Sequence, residues 1–206
     1  HILNQLIRFT PIGGSAMIDG QQVSGALNIF NTLLMQAEPD MDVMRQATRF
    51  LTQGTHPFMV FGLPAACYAM YKTALPKNKQ KVKGILLAAG LTSLFTGITE
   101  PIEFSFFFIS PLLWLFHAFM AGMSFLINTL LGVCIGNAGG GLIDLMLFGV
   151  LRGPQTKWLL NVVIGLIYAM IYFFVFKWAI VKFNIKTPGR EDETAVSYTH
   201  LRAHET

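Results

Sequence analysis

The chain is 206 residues long, 53% hydrophobic and only 13% charged, with a mean hydropathy of +0.52. Soluble domains carry about 25% charged residues, so this balance excludes an ordinary soluble domain and points to an integral membrane protein. The net charge of +4 is concentrated rather than spread. Lys72, Lys77, Lys79, Lys81 and Lys83 crowd one loop, and Lys177, Lys182 and Lys186 crowd the end of the last apolar run. Because apolar sequence flanks both clusters, they read as cytoplasmic loops by the positive-inside rule and not as a nucleic-acid patch.

Residues 1–20 open apolar and then break at Pro11, Gly13 and Gly14, with a second turn signal at Asp19-Gly20. Such a broken stretch is too short to span a bilayer. The chain starts at His1 without a charged n-region or cleavage site, so it reads as the C-terminal part of a longer membrane protein. QQVSGALNIFNTLLMQ has the pattern of one amphipathic helix. DMDVMRQATRFLTQG places Arg45 and Arg49 on one face and predicts an interfacial helix or one lining the protein's aqueous side. Thr55–Tyr71 is free of Asp, Glu, Lys and Arg and contains FGLP, which predicts a kinked or interrupted helix, and the lysine loop follows. Cys67 and Cys134 lie in apolar runs with no metal-ligand spacing, so both are expected to be packing residues.

From Gly84 to Leu151 the only Asp, Glu, Lys or Arg residues are Glu100, Glu103 and Asp144. A carboxylate at membrane depth costs roughly 2.5–3.5 kcal/mol on insertion scales, so two of them three residues apart need a reason. Pro101 restricts the residue before it and is expected to push Glu100 out of helical geometry. Gly84–Gly97 is too short to span, and it reads as the first arm of a re-entrant hairpin with Thr99-Glu100-Pro101 at its tip. The plainer alternatives are that Glu103 caps a helix start and that Glu100 pairs with a basic neighbour.

Phe104–Ile143 would make a helix of about 60 Å and must turn, with Pro111 and the Gly136–Gly141 cluster as the breaks. Pro111–Ile135 then reads as a span whose His117 and Asn128 hydrogen-bond between helices. GNAGGGLIDLMLFGVLRG, with one buried-looking acid at Asp144, is too short to cross and reads as a second interrupted element. Trp158–Phe176 is the clearest span, and its parity returns the lysine-flanked end to the cytoplasm. FNIKTPGREDET is a polar linker. The tail AVSYTHLRAHET lacks apolar periodicity and reads as foreign to the fold, so His200 and His204 are taken as an exposed pair rather than a metal site.

FGLPAACYAMY, GITEPIEF, the IGN–glycine–ID run and KTPGR follow one another along the chain. In that order they resemble the membrane-embedded C domain of phosphoenolpyruvate-dependent sugar phosphotransferase permeases of the glucose–glucoside superfamily. TPIGGSAMIDGQ–ALNIF is most similar to the maltose/glucose, or alpha-glucoside, branch. The resemblance implies an all-α integral membrane protein with transmembrane helices, re-entrant helical hairpins and interrupted helices, in the bacterial inner membrane. Residues 1–183 would be the substrate-binding half of the C domain without its N-terminal half. Residues 184–194 would be a cytoplasmic linker toward a B domain, and residues 195–206 would lie outside the native fold.

The same resemblance implies that Glu100, Thr99, Glu103 and His1 bind sugar, with His1 also near the phosphoryl-transfer position. One carboxylate accepts two adjacent hydroxyls with charge-assisted bonds, and an imidazole serves as donor or proton acceptor. The implied activity is sugar phosphotransfer by the full complex. Its partners would be a sugar, a phosphorylated cysteine-bearing B domain, the bilayer and a second copy in a homodimer, with no nucleic acid, cofactor or metal. The competing reading is an ion- or proton-coupled carrier using Glu100, Glu103 and Asp144, and the blandest is a membrane scaffold without a substrate.

Overall fold

The computed structural model describes residues 7, 9–36, 38–48, 54–136 and 139–191. His1, Arg49, His200, His204 and the whole 195–206 tail lie outside these residues.

The expectation of an all-α chain is corrected at the N-terminal end. Strands β1 (Ser15–Ile18) and β2 (Gln21–Ser24) pair antiparallel, with Ile18 opposite Gln21. Asp19 (φ 51) and Gly20 (φ 77) both take the positive φ that a two-residue hairpin turn demands. The helix expected across QQVSGALNIFNTLLMQ is therefore shorter: α1 spans Ala26–Leu34, because Gly25 (φ 91) ends the strand. Helix α2 (Met41–Thr48) starts at Asp40, whose carboxylate accepts from the backbone N–H groups of Asp42 and Val43 at 2.9 and 3.1 Å. Ile18, Ile29, Phe30, Leu33, Met44 and Cys134 bury a small core between hairpin and helices.

A larger core is built from interrupted helices. A wide π turn at Pro57–Gly62 runs into α3 (Leu63–Thr73), and α4 (Lys79–Thr96) follows after a 120° bend. Next come α5 (Glu100–Phe107) and α6 (Pro111–Leu130). Helix α7 (Leu142–Asp144) continues into a second π turn at Leu145–Val150, and α8 (Trp158–Lys182) closes the chain.

Helices α6 and α8 are long and apolar enough to cross a membrane, and the bent α3–α4 pair raises the count to three if it forms one span. At 1.5 Å per residue, α6 is about 30 Å long, close to the hydrocarbon thickness. Helix α8 buries Tyr168, Tyr172 and Phe176 on one stripe and exposes Leu166, Met170, Phe174 and Trp178 on another. A helix apolar on both faces is what lipid on one side and protein on the other require.

Two expected boundaries shift. Helix α4 does not begin at Gly84 but five residues earlier, since the lysines of the loop are good helix formers and extend it. Its end is fixed by Gly97, left-handed at φ 73, whose N–H bonds Ser93 O at 2.9 Å. The expected displacement of Glu100 from helical geometry is also corrected: Glu100 is the first residue of α5. Pro101 sits in the first turn, where its missing N–H costs nothing, so it starts a helix instead of breaking one. The break falls at Gly97-Ile98-Thr99.

The segment after α8 folds back onto the lysine loop. Leu75 N donates to Gly189 O at 3.0 Å, and the Arg190 guanidinium donates to Thr73 O at 2.8 Å. A Cβ at Gly189 (φ 86) would press on Ala74 and Val82. The two basic ends therefore share one side of the molecule.

Candidate functional site

Three chain breaks converge at one place. A side chain at Gly97 would collide with the backbone of Gly139, Gly140 and Gly141, and one at Gly141 with the backbone of Phe95, Thr96 and Gly97. The glycine loop thus lies backbone to backbone on the turn that leads into Thr99-Glu100. On its other side, a Cβ at Gly140 would meet Met59 Sδ at 2.7 Å and Thr55 Cβ at 2.9 Å. Ser93 on α4 ties this region together by donating to Met59 O at 2.6 Å. Glycine is required at these positions by close approach, and at Gly97 and Gly140 also by positive φ.

Asp144 clamps the loop. Its Oδ2 accepts from Gly139 N at 2.6 Å and Gly140 N at 3.0 Å. This half-buried carboxylate has a local structural task that its place in an apolar run did not reveal. Asp144→Ala in the full-length protein should lower thermal stability by about 2 kcal/mol, the order expected for bonds to a charged acceptor. Asp144→Asn keeps an acceptor and should cost less than half as much in the same melting experiment. Equal losses would mean that charge, not acceptance, is what the residue supplies.

Glu100 heads α5 and is exposed. Among the described residues it makes no ion pair, so the alternative of a basic neighbour finds no partner there. An anion at a helix start is favoured by the helix dipole.

Glu103, one turn on, is committed. Its Oε1 lies 3.4 Å from His117 Nε2, and the Thr99 hydroxyl hydrogen-bonds the same carboxylate. His117 Nδ1 is in turn 2.9 Å from the Tyr172 hydroxyl. With the proton on Nε2, the imidazole donates to Glu103 while Nδ1 accepts from Tyr172, which satisfies all three groups. Phe58 and Phe106 present their edges at ring distances of 5.7 and 5.9 Å and close the imidazole off from solvent. The chain Thr99–Glu103–His117–Tyr172 runs from the turn through α5 and α6 to α8, and it pins the turn to the two long helices. His117 and Asn128 both bond between helices as expected, Asn128 by accepting from Asn161 at 2.8 Å.

The structure brings Glu100, Thr99 and Glu103 together; His1 lies outside the described residues. Sequence reading passed over His56, which is 1% exposed with neither ring nitrogen hydrogen-bonded. It directly precedes the π turn at Pro57, and π turns recur at functional sites. The available signal was a histidine placed before proline at the head of an apolar run.

The family model described as "Phosphotransferase system, EIIC" matches residues 1–122, more than half of the chain. The chain belongs to the phosphotransferase system EIIC family. It is 45% identical over 197 residues to the Escherichia coli (strain K12) protein called "PTS system maltose-specific EIICB component". That similarity covers 96% of this chain, so it continues well past residue 122. The chain spans 37% of the length of that relative. The resemblance carried by GITEPIEF and FGLP is borne out, and the glycine loop and the Glu100 turn can be read as parts of an EIIC membrane domain.

Proposed function

We propose that this chain is the sugar-binding half of a phosphotransferase permease C domain. It takes a hexose or alpha-glucoside of the glucose/maltose type and presents it for phosphorylation during uptake. The observation that carries this reading is a Glu100 that is exposed and unpaired among the described residues, held where three chain breaks meet. A carboxylate there accepts two vicinal hydroxyls, and the crossing backbones offer polar groups to the rest of the ring. Thr99 and Glu103 belong to the same site, with Glu103 holding the turn through His117 and Tyr172. His1 would supply the imidazole near the 6-hydroxyl as general base.

On this reading the turn and the glycine segment are re-entrant, and the lysine loop and residues 184–194 face the cytoplasm of a bacterial cell. The latter lead toward a B domain, the whole protein is a homodimer in the inner membrane, and residues 195–206 stand apart from the fold. The name of the E. coli relative supports both the sugar class and a B domain. The carrier alternative is weakened because two of its three acids are already engaged, Asp144 by the glycine loop and Glu103 by His117 and Thr99.

Uptake by the full-length protein in vesicles distinguishes the two. Sugar should enter as sugar phosphate and only when a phosphorylated carrier protein is supplied on the cytoplasmic side. Accumulation of free sugar driven by an imposed proton or sodium gradient would select the carrier instead.

A further inference from the structure

A groove of about 280 Å³ runs between α3 and α4. Pro64, Leu91 and Leu94 line it, with Gly90 facing Cys67, where an added Cβ would stand 3.7 Å from the cysteine Cβ. From Lys83 to Leu94 the wall rises about 16 Å along α4. The apolar part alone selects nothing, since lipid tails are as apolar as leucine.

The loop end is different. Lys83 lines it, and the two tyrosines of the groove each carry a lysine on the ring. Lys72 Nζ lies 5.1 Å from the Tyr68 ring centroid, and Lys79 Nζ lies 5.2 Å from that of Tyr71. Among the described residues none of these three lysines makes an ion pair. An apolar slot with one uncompensated lysine in its lining and two more resting on its tyrosine rings has the charge pattern of one lipid class.

We propose that the α3–α4 groove is a binding site for a single acidic phospholipid. One acyl chain lies along Leu91 and Leu94, and the headgroup phosphate is held by Lys72, Lys79 and Lys83. Basic clusters just outside a span attract anionic headgroups, and a zwitterionic headgroup brings its own cation into the collar and loses the advantage. Resting on rings, Lys72 and Lys79 are already oriented, which favours a defined site over a diffuse layer.

The test is native mass spectrometry of the delipidated full-length protein, given phosphatidylglycerol or phosphatidylcholine with the same acyl chains. One phosphatidylglycerol should be retained about tenfold more than phosphatidylcholine. Lys79→Gln/Lys83→Gln should remove that preference. Lys182→Gln deletes a lysine that also sits over a ring, that of Trp178, but does not line the groove, and should leave the preference intact. Leu91→Trp, which fills the slot and keeps every lysine, should weaken retention of phosphatidylglycerol. If the double lysine variant fails to fold, Lys83→Gln alone should reduce the preference several-fold. Equal retention of the two lipids, or as large a loss from Lys182→Gln as from the groove lysines, overturns the proposal. So does a Leu91→Trp variant that binds like the parent, or no lipid retained at all, since the groove is then filled by another part of the longer protein.

Discussion

Glu100→Gln in the full-length protein is expected to abolish detectable sugar binding while leaving the protein folded. The substitution is isosteric, so packing does not change. One acceptor oxygen becomes a donor, and the charge behind both bonds is lost. Hydrogen bonds to a charged group contribute about 1.5–3 kcal/mol each. Losing two of them costs about 3–6 kcal/mol, which is a drop in affinity of roughly 10²–10⁴-fold. Folding should survive because Glu100 is exposed and unpaired among the described residues. Glu103→Gln serves as the contrast. Its carboxylate is bound to Thr99 and His117, so its loss should lower the melting temperature together with a smaller loss of affinity. Equilibrium binding on purified protein decides the matter. Near wild-type affinity for Glu100→Gln would remove this residue from the site.

The same contrast shows what the sequence could and could not carry. That an acid pair beside a proline in an apolar run marks a special turn was legible, because the cost of a membrane carboxylate does not depend on the partner. Which acid is free and which is engaged was not. Glu103 is held by His117, fourteen residues away, and through it by Tyr172, a pairing set by helix packing rather than by spacing. Asp144 lost its apparent mystery to the amides of Gly139 and Gly140, an interaction too local for hydropathy to reveal.

Each of the three breaks announced itself through glycine or proline. Their meeting is fixed by backbone contacts that leave no mark beyond the glycines themselves. The hairpin escaped for the opposite reason: Asp19-Gly20 was read as a turn, but SAMI and QQVS are too short and too polar to declare themselves strands. Glu100 was misplaced by one rule over another. The restriction on a residue before proline yielded to the preference for proline in the first turn of a helix.

Binding and chemistry should separate cleanly in this protein. On the proposed reading the site would hold a carboxylate and, in His1, an imidazole, and neither is a phosphoryl donor. The two cysteines are poor candidates for that role: both are buried, and burial pushes the Cys134 thiol up despite the opposing pull of the Thr48 hydroxyl. Cys134 is also spent on packing, in the small core with Phe30 and Met44. The chain joined to the remainder of its membrane domain, without a B domain, is therefore expected to bind sugar and phosphorylate none. Adding a phosphorylated B domain in trans should restore product, because the donor needs only to reach the cytoplasmic mouth of the site. Cys67→Ala/Cys134→Ala should then transfer phosphate at the parent rate, as measured by formation of labelled sugar phosphate. A double variant that still bound sugar but gave no product would put one of these thiols on the phosphoryl path and overturn their assignment to packing.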